Sequence, residues 1–417
     1  MDYADKPSDS NRGAKYIHRL NKVKVLKIIR SAETLSRADI AKISGLSAPT
    51  VSRIIEALLT EGLVREIGEG ASQGGRRPTL LKFSDHKNFI IGIDLGTTNI
   101  YGVLSDFEAK IIAEVRAPTH IEEGFAGVMA RTADVISGLI AEPTVPDKRI
   151  YGIGMAVAGV INRKRNIVEF SPDFHWHDVD VVGSLAHVHH YPIIFDNVTR
   201  VMSMGERWFG LGKKFRNLIC VNVGYGIGAG ILIDGNPLYG PLGMAGEFGH
   251  ITLDKGSSVQ CDCGNYGCLE ALASGNAIAK SAKKRLADGE RSALLEMCGG
   301  EIAALTAEMV ANAAKQGDPL AWSVFDQAME YLGIGIAGLV NLFSPEAVVI
   351  GGGVAQAGDI VFEKVRRIVN ARSLHMNASN VLIRPASFGL KTAVMGAVSL
   401  ILSEVISLKH DEISIRV

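Results

Sequence analysis

Residues 89–106 read FIIGIDLGTTNIYGVLSD, and residues 217–235 read NLICVNVGYGIGAGILIDG. Each is an apolar run, a glycine turn and a second apolar run, the pattern of a two-stranded hairpin. Turns of this kind expose backbone amides that can cradle phosphate. Further strands are predicted at Ile150–Val157, Ile193–Phe195 and Ala347–Ile350, the last followed by Gly351-Gly352-Gly353. Helices are predicted over about 124–141, 303–316 and 319–342. Strands alternating with helices make an α/β protein, and the repeated hairpin predicts two related lobes with a cleft between them.

Upstream of the first hairpin the chain changes character. Residues 1–83 carry 15 Lys and Arg against 9 Asp and Glu, whereas the remainder carries 29 against 35, so a net charge of zero hides a basic head on an acidic body. Residues 1–13 are polar and expected to be disordered. From Tyr16 to about Arg30, Ile17, Leu20, Val23, Leu26 and Ile29 recur at three-residue spacing, as on an amphipathic helix. Ser36 stands three residues before Asp39 and opens a short helix, Arg37 to Ile43, that ends at Ser44-Gly45. Ser47 caps a third helix, which tolerates Pro49 in its first turn and buries Val51, Ile54, Ile55 and Leu58. Thr50, Ser52 and Arg53 lie off that stripe.

This is the spacing of a helix-turn-helix, whose second helix presents its N-terminal residues to major-groove base edges. The DNA-contacting set is therefore Ser47, Pro49, Thr50, Ser52 and Arg53. Leu63–Ile67 and Thr79–Phe83 read as two short strands around GEGASQGGRRP, a wing whose Arg76 and Arg77 can reach the phosphate backbone or minor groove.

The 417 residues suffice for two or three domains, and 47% hydrophobic with 21% charged residues is a globular balance. No run of eighteen uncharged apolar residues occurs, so membrane insertion is not expected. The N-terminus lacks an apolar signal core and the five cysteines make no disulfide framework, which points to the cytoplasm. Three of those cysteines crowd into EFGHITLDKGSSVQCDCGNYGCLE, residues 247–270. Cys261, Cys263 and Cys268 with His250 match a closed tetrahedral structural zinc site, and Gly264 and Gly267 let the loop curl around one ion. A zinc-bound imidazole keeps one ring nitrogen for a ligand hydroxyl. Glu247 and Glu270 bracket the loop as acceptors for vicinal hydroxyls, so Glu247, His250 and Glu270 form a candidate polyol site. Cys220 and Cys298 are expected to be inert.

The sequence resembles the ROK family of repressors, open reading frames and sugar kinases over nearly its whole length. The resemblance is carried by SRADIAKISGLSAPTVSRIIEALLTEGLV and GGRRP, then DLGTTN, GYGIGAG, GEFGH and CDCGNYGCLE. It implies a winged helix-turn-helix over 1–85 and an actin-like, ribonuclease H-like two-lobed sugar-kinase domain with structural zinc over 86–417. The lobes would be roughly 86–200 plus the C-terminal helix, and 201–385. It implies zinc on His250, Cys261, Cys263 and Cys268, and a monosaccharide bound by Glu247, His250 and Glu270, with Gly159 lining the site and Asn197, the first Asn of the kinase motif, also contacting the sugar. Members with such a head are sugar-responsive regulators, usually repressors of the xylose or N-acetylglucosamine kind, that bind operator DNA as homodimers or homotetramers.

Departures from the kinase pattern bear on catalysis. Family kinases carry Asn-Asp-Ala-Asn, whose Asp is the base; here Asn197 takes the first place, Val198 the base position and Arg200 the second Asn. Valine accepts no proton. Asp196 would need a one-residue slip, which turns its side chain to the opposite face. Thr97 and Tyr225 replace small residues in the two phosphate turns, and Asp173 stands where a sugar-contacting Asn is common. The expected function is a repressor rather than an enzyme. The alternatives are an ATP-dependent sugar kinase that retains a DNA-binding head, and a regulator controlled by a protein partner.

Overall fold

The computed structural model describes residues 9–32, 34–70, 77–83, 88–145, 149–163, 165–186, 188 and 190–407. The head comprises α1 (Asp9–Ser31), the short β1 (Leu35–Ser36), α2 (Arg37–Ser44), α3 (Ala48–Thr60), β2 (Val64–Glu69) and β3 (Thr79–Phe83), its strands ordered β1-β3-β2. The Ser36 side chain accepts from the Asp39 amide while Asp39 accepts from the Ser36 amide, a reciprocal cap that starts α2. Gly45, at φ 69°, ends it by donating its amide hydrogen to the Ala41 carbonyl. One expectation is corrected: helix α1 begins at Asp9, so residues 9–13 are helical, while residues 1–8 lie outside the described residues. Of the predicted stripe Leu26 and Ile29 are buried, joined by Val25, whereas Ile17 and Leu20 are exposed, so the helix packs only through its C-terminal half.

The first lobe is built from β4 (Asn88–Leu95), β5 (Asn99–Asp106), β6 (Ile111–Pro118), α4 (Gly124–Ile140), β7 (Arg149–Val157), the small antiparallel sheet β8 (Val160–Asn162), β9 (Ile167–Ser171) and β10 (Trp176–Val179), α5 (Val181–Leu185) and β11 (Ile193–Asn197). Helix α6 (Val198–Phe209) then leads into the second lobe. That lobe contains β12 (Leu218–Val223), β13 (Ile227–Ile233), β14 (Asn236–Pro237), α7 (Leu269–Ala273), α8 (Gly275–Ala287), α9 (Leu294–Met297), α10 (Ala307–Lys315), α11 (Pro319–Phe343), β15 (Ala347–Gly351), α12 (Asp359–Arg372), α13 (His375–Asn380) and β16 (Leu382–Pro385). Helix α14 (Thr392–Val405) returns to the first lobe. The predicted helix over 303–316 starts later than expected, because the Thr306 hydroxyl caps it by accepting from the Met309 amide.

The sheets run β6-β5-β4-β7-β11 and β14-β13-β12-β15-β16. In each, an antiparallel hairpin is flanked by one further antiparallel strand on one side and two parallel strands on the other. The two quoted hairpins are β4–β5 and β12–β13, so the sequence repeat is a repeat of topology. Helices α6 and α14 cross between the sheets at Gly205 and Gly396, where a Cβ on Gly396 would collide with the Val201 carbonyl. Gly396→Val should therefore cost about 1–3 kcal/mol by overpacking. A denaturation midpoint equal to wild type would contradict that reading.

The head is packed onto the first lobe. Val25, Leu26, Leu81 and Phe83 share a buried cluster with Ile90, Phe107, Val398 and Ile401. The Glu61 carbonyl, at the end of α3, accepts from the Tyr151 hydroxyl and the Arg149 guanidinium, both at 3.0 Å. Among the described residues, no helix is long and apolar enough to cross a membrane.

Candidate functional site

In α3 the Ser47 hydroxyl meets the Thr50 hydroxyl at 2.8 Å and caps the helix. Val51, Ile54, Ile55 and Leu58 are buried, while Ser47, Pro49 and Arg53 are exposed and Thr50 and Ser52 half-buried. The side chains predicted to read DNA thus share the outer face of this helix. Antiparallel β2 and β3 form the stem of the predicted wing. Arg77, at its base, is exposed; Arg76 lies outside the described residues.

In the body, His250 closes a short 3₁₀ turn, Phe248–His250, and the loop after it folds back through bridges at Thr252–Cys268 and Gln260–Tyr266. Gly264 and Gly267 take positive φ of 93° and 67°, as the curl requires. The ligand atoms of His250, Cys261, Cys263 and Cys268 all lie within 4.8 Å of one another. Cys263 and Cys268 sulfurs are 3.8 Å apart, and Cys261 Sγ is 3.7 Å from His250 Nδ1. A tetrahedral ion with Zn–S bonds of about 2.3 Å sets its sulfurs about 3.8 Å apart, so the donor set fits a metal.

His250 turns Nδ1 to the thiols and Nε2 to Glu247, whose Oε2 is 3.9 Å away. Glu270, near the start of α7, accepts from the Ile227 amide at 2.8 Å, and its Oε1 is 4.0 Å from Cys261 Sγ. Glu247, His250, Cys261 and Glu270 thus form one continuous chain of side chains. The Glu247 side chain is 41% exposed, yet the surrounding walls raise its pKa, opposed by His250 and Arg200. Asp173 from the first lobe joins Tyr225, Cys261, Asp262 and Glu270 around a cavity of about 430 Å³. Burial first, then the Glu270 and Asp262 charges, push Asp173 up to about 6.

Of the predicted sugar contacts Glu270 lines that cavity, Glu247 and His250 lie outside its lining, and Gly159 and Asn197 pair with each other. Asn197 donates to the Gly159 carbonyl at 2.9 Å and, as the N-cap of α6, accepts from the Thr199 amide and hydroxyl. Gly159 has φ 122°, and a Cβ there would sit 2.5 Å from the Phe170 carbonyl oxygen.

Val198 is the first residue of α6. Asp196 pairs with Ala156 in the strand register, is fully buried, and accepts from Arg200 Nε and Nη2 at 3.0 and 2.9 Å. Arg200 also donates to the Gly243 carbonyl, and Arg163 donates to the Tyr239 hydroxyl across the lobes at 2.7 Å. No spacing rule signals the ion pair, because Asp196 lies near the end of a strand and Arg200 on the helix that follows it. Tyr225, in the turn between β12 and β13, is 52% exposed; partial burial first, and then the charges of Asp262, Asp173 and Glu270, raise its pKa.

The profile described as the ROK family matches residues 90–404, and one described as winged helix-turn-helix DNA-binding matches residues 19–65. The chain belongs to the ROK family. Its sequence is 34% identical over 391 residues to the xylose repressor of Caldicellulosiruptor bescii, covering 94% of this chain and 97% of that one. It is 32% identical to a glucokinase of Halalkalibacterium halodurans over 73% of this chain and 92% of that one. A crystal structure of a ROK family transcriptional regulator, a homologue of the E. coli MLC protein, superposes with a TM-score of 0.81 at 27% identity. That superposition covers 96% of this chain and all of the other. ROK members thus include both named repressors and named kinases, and full-length likeness, head included, is to the repressors.

Proposed function

We propose that the protein is a sugar-responsive transcriptional repressor, acting in the cytoplasm beside its DNA. Its head, residues 1–85, binds a palindromic operator through Ser47, Pro49, Thr50, Ser52, Arg53, Arg76 and Arg77. Its body, residues 86–417, holds a neutral monosaccharide at Glu247, His250 and Glu270, with Gly159 and Asn197 shaping the adjoining turn. The lobes are 86–200 with the C-terminal helix, and 201–385. The observation that carries the reading is the winged helix-turn-helix seated on a ROK body, in a chain similar to a named repressor over nearly its whole length.

Zinc on His250, Cys261, Cys263 and Cys268 supplies a fixed structural anchor with no redox role. This chain's own residues do the recognition: His250 Nε2 and Glu247 face a ligand hydroxyl together, and Glu270 is oriented by the Ile227 amide. Twelve-residue α6, about 18 Å long, starts after the Asn197 cap and carries in its last turn Trp208, which stacks on Arg30 of the head. Cleft closure therefore reaches the head through one rigid element. Two copies are needed for a palindrome. Exposed Leu342, Leu374 and Met376, drawn together by the Leu374 amide on Asn341, offer an apolar face for association.

The test is DNA selected from a random pool by the full chain, then titrated at fixed salt with and without neutral sugars, xylose first because a relative bears that name. Arg53→Ala should weaken the selected site by about 1–3 kcal/mol. Equal affinity of this variant for selected and random DNA, with wild type unable to distinguish them either, would end the repressor reading.

The glucokinase matches favour a second reading, an ATP-dependent sugar kinase. Two features oppose it: the ion-paired Asp196, and carboxylates around Tyr225 that repel phosphate. Neither the wild type nor Val198→Asp should phosphorylate xylose or glucose with ATP. Turnover by the wild type would support the kinase.

A further inference from the structure

A cavity of about 940 Å³ lies where the head meets the body, walled by the end of α1, by β3, by the β5–β6 turn, by the end of α6, by the β13–β14 turn and by α14. Five basic side chains line it, Lys27, Arg30, Lys82, Arg207 and Lys213, against two acidic ones. Both acids are engaged: Glu108 with Lys82 at 2.8 Å, and Asp234 with Arg216 at 3.6 Å. Among the described residues no carboxylate pairs with Lys27, Arg30, Arg207 or Lys213. Arg30 instead stacks 3.6 Å from the centroid of the Trp208 ring and reaches the Trp208 carbonyl only at 3.4 Å. Arg207 Nε is shielded from solvent and has no hydrogen-bond partner.

Two guanidiniums that line one half-buried wall and repel each other are an unfavourable arrangement. Burial, with the Arg207 charge second, holds Arg30 far below the usual guanidinium value, at about 9. An oxyanion between them would supply the missing acceptors and cancel the repulsion, since guanidinium forks bind phosphate oxygens in pairs. The volume exceeds what inorganic phosphate needs and admits a sugar-sized body.

We propose that the head–body cavity is a binding site for a phosphate monoester dianion, gripped by Arg30 and Arg207 with Lys27 and Lys213 at its rim. Arg30 and Lys27 belong to the head, Arg207 and Lys213 to the body, so the ligand fastens one to the other. Occupancy then alters operator affinity to the extent that DNA prefers or rejects this head placement. The site is separate from the sugar cleft, and its ligand differs in charge from the neutral sugar assigned there.

The test is calorimetric titration of the full chain with inorganic phosphate and with glucose 6-phosphate, ionic strength held constant with chloride. Saturable binding of one anion per chain is expected, weakened at least tenfold in Arg207→Gln and in Lys213→Gln and unchanged in Glu270→Gln. Without ligand, Arg207→Gln should melt no lower than wild type, because it removes a like-charge contact; this separates loss of binding from loss of fold. Tighter binding of glucose 6-phosphate identifies a phosphorylated metabolite as the source, and equal binding identifies free phosphate; both support the site. No saturable binding of either anion overturns the proposal. So does equal affinity in wild type and Arg207→Gln, or loss of phosphate binding in Glu270→Gln, which would put the anion in the cleft.

Discussion

Arg200→Met is expected to destabilise the protein by about 3–5 kcal/mol, the cost of stripping one partner from a buried ion pair. Arg200 is 2% exposed and Asp196 fully buried, and the guanidinium supplies two of the three hydrogen bonds to Asp196 Oδ1. Removing it leaves a fully buried carboxylate held by the Asn197 amide and the Tyr239 side chain, with Arg163 4.0 Å from Oδ2 as its nearest remaining cation. The same change frees the Gly243 carbonyl, loosening the loop that runs into Glu247. The double variant Asp196→Asn/Arg200→Met should recover a large part of the loss, because an amide tolerates burial better than an unpaired carboxylate. Denaturant midpoints of the two variants check this. A loss under about 1 kcal/mol in the single variant would mean that solvent reaches Asp196.

Cys268→Ala is expected to abolish sugar binding while leaving sugar-free operator binding intact. Cys268 is fully buried and faces Thr252 across a bridge whose hydrogen bonds run from Leu253 to Gly267 and from Leu269 to Ile251, so its thiol is held in place by backbone on both sides. Without a closed ligand set, nothing holds His250 Nδ1 against the thiols or keeps Nε2 aimed beside Glu247. Each hydrogen bond to a charged group contributes about 1.5–3 kcal/mol, so misplacing His250 and Glu247 together should weaken the sugar about 100-fold or more. Chelation of the wild type should reproduce the effect. Metal analysis of the purified protein supplies the check: wild type should carry one zinc per chain and the variant none. Unchanged sugar affinity in a zinc-free protein would remove the loop from the site.

The features that could be read in advance are those set by neighbours in sequence. The Ser36–Asp39 reciprocal cap, the Ser47 cap and the Val51–Leu58 stripe depend on three- and four-residue spacings, and all stand as expected. Both glycine hairpins and the cluster of His250 with three cysteines are likewise local patterns. What escaped depends on residues far apart or on weak local signals. The β8–β10 sheet consists of strands of three to five residues, too short for alternation to stand out. The start of α1 carries no apolar stripe. The Asn197–Gly159 bond joins positions 38 residues apart, and Arg30 meets Trp208 across 178. No spacing rule reaches that far, so Asn197 was assigned to the sugar through its motif, whereas its side chain is engaged by backbone and by Thr199.

The most direct test of the central claim is the affinity of the full chain for its selected operator, measured at one fixed salt concentration across a panel of neutral monosaccharides. A coupling of about 1–3 kcal/mol predicts a 5- to 150-fold change with one sugar, lost in Glu270→Gln. An operator affinity that no neutral sugar alters would contradict it.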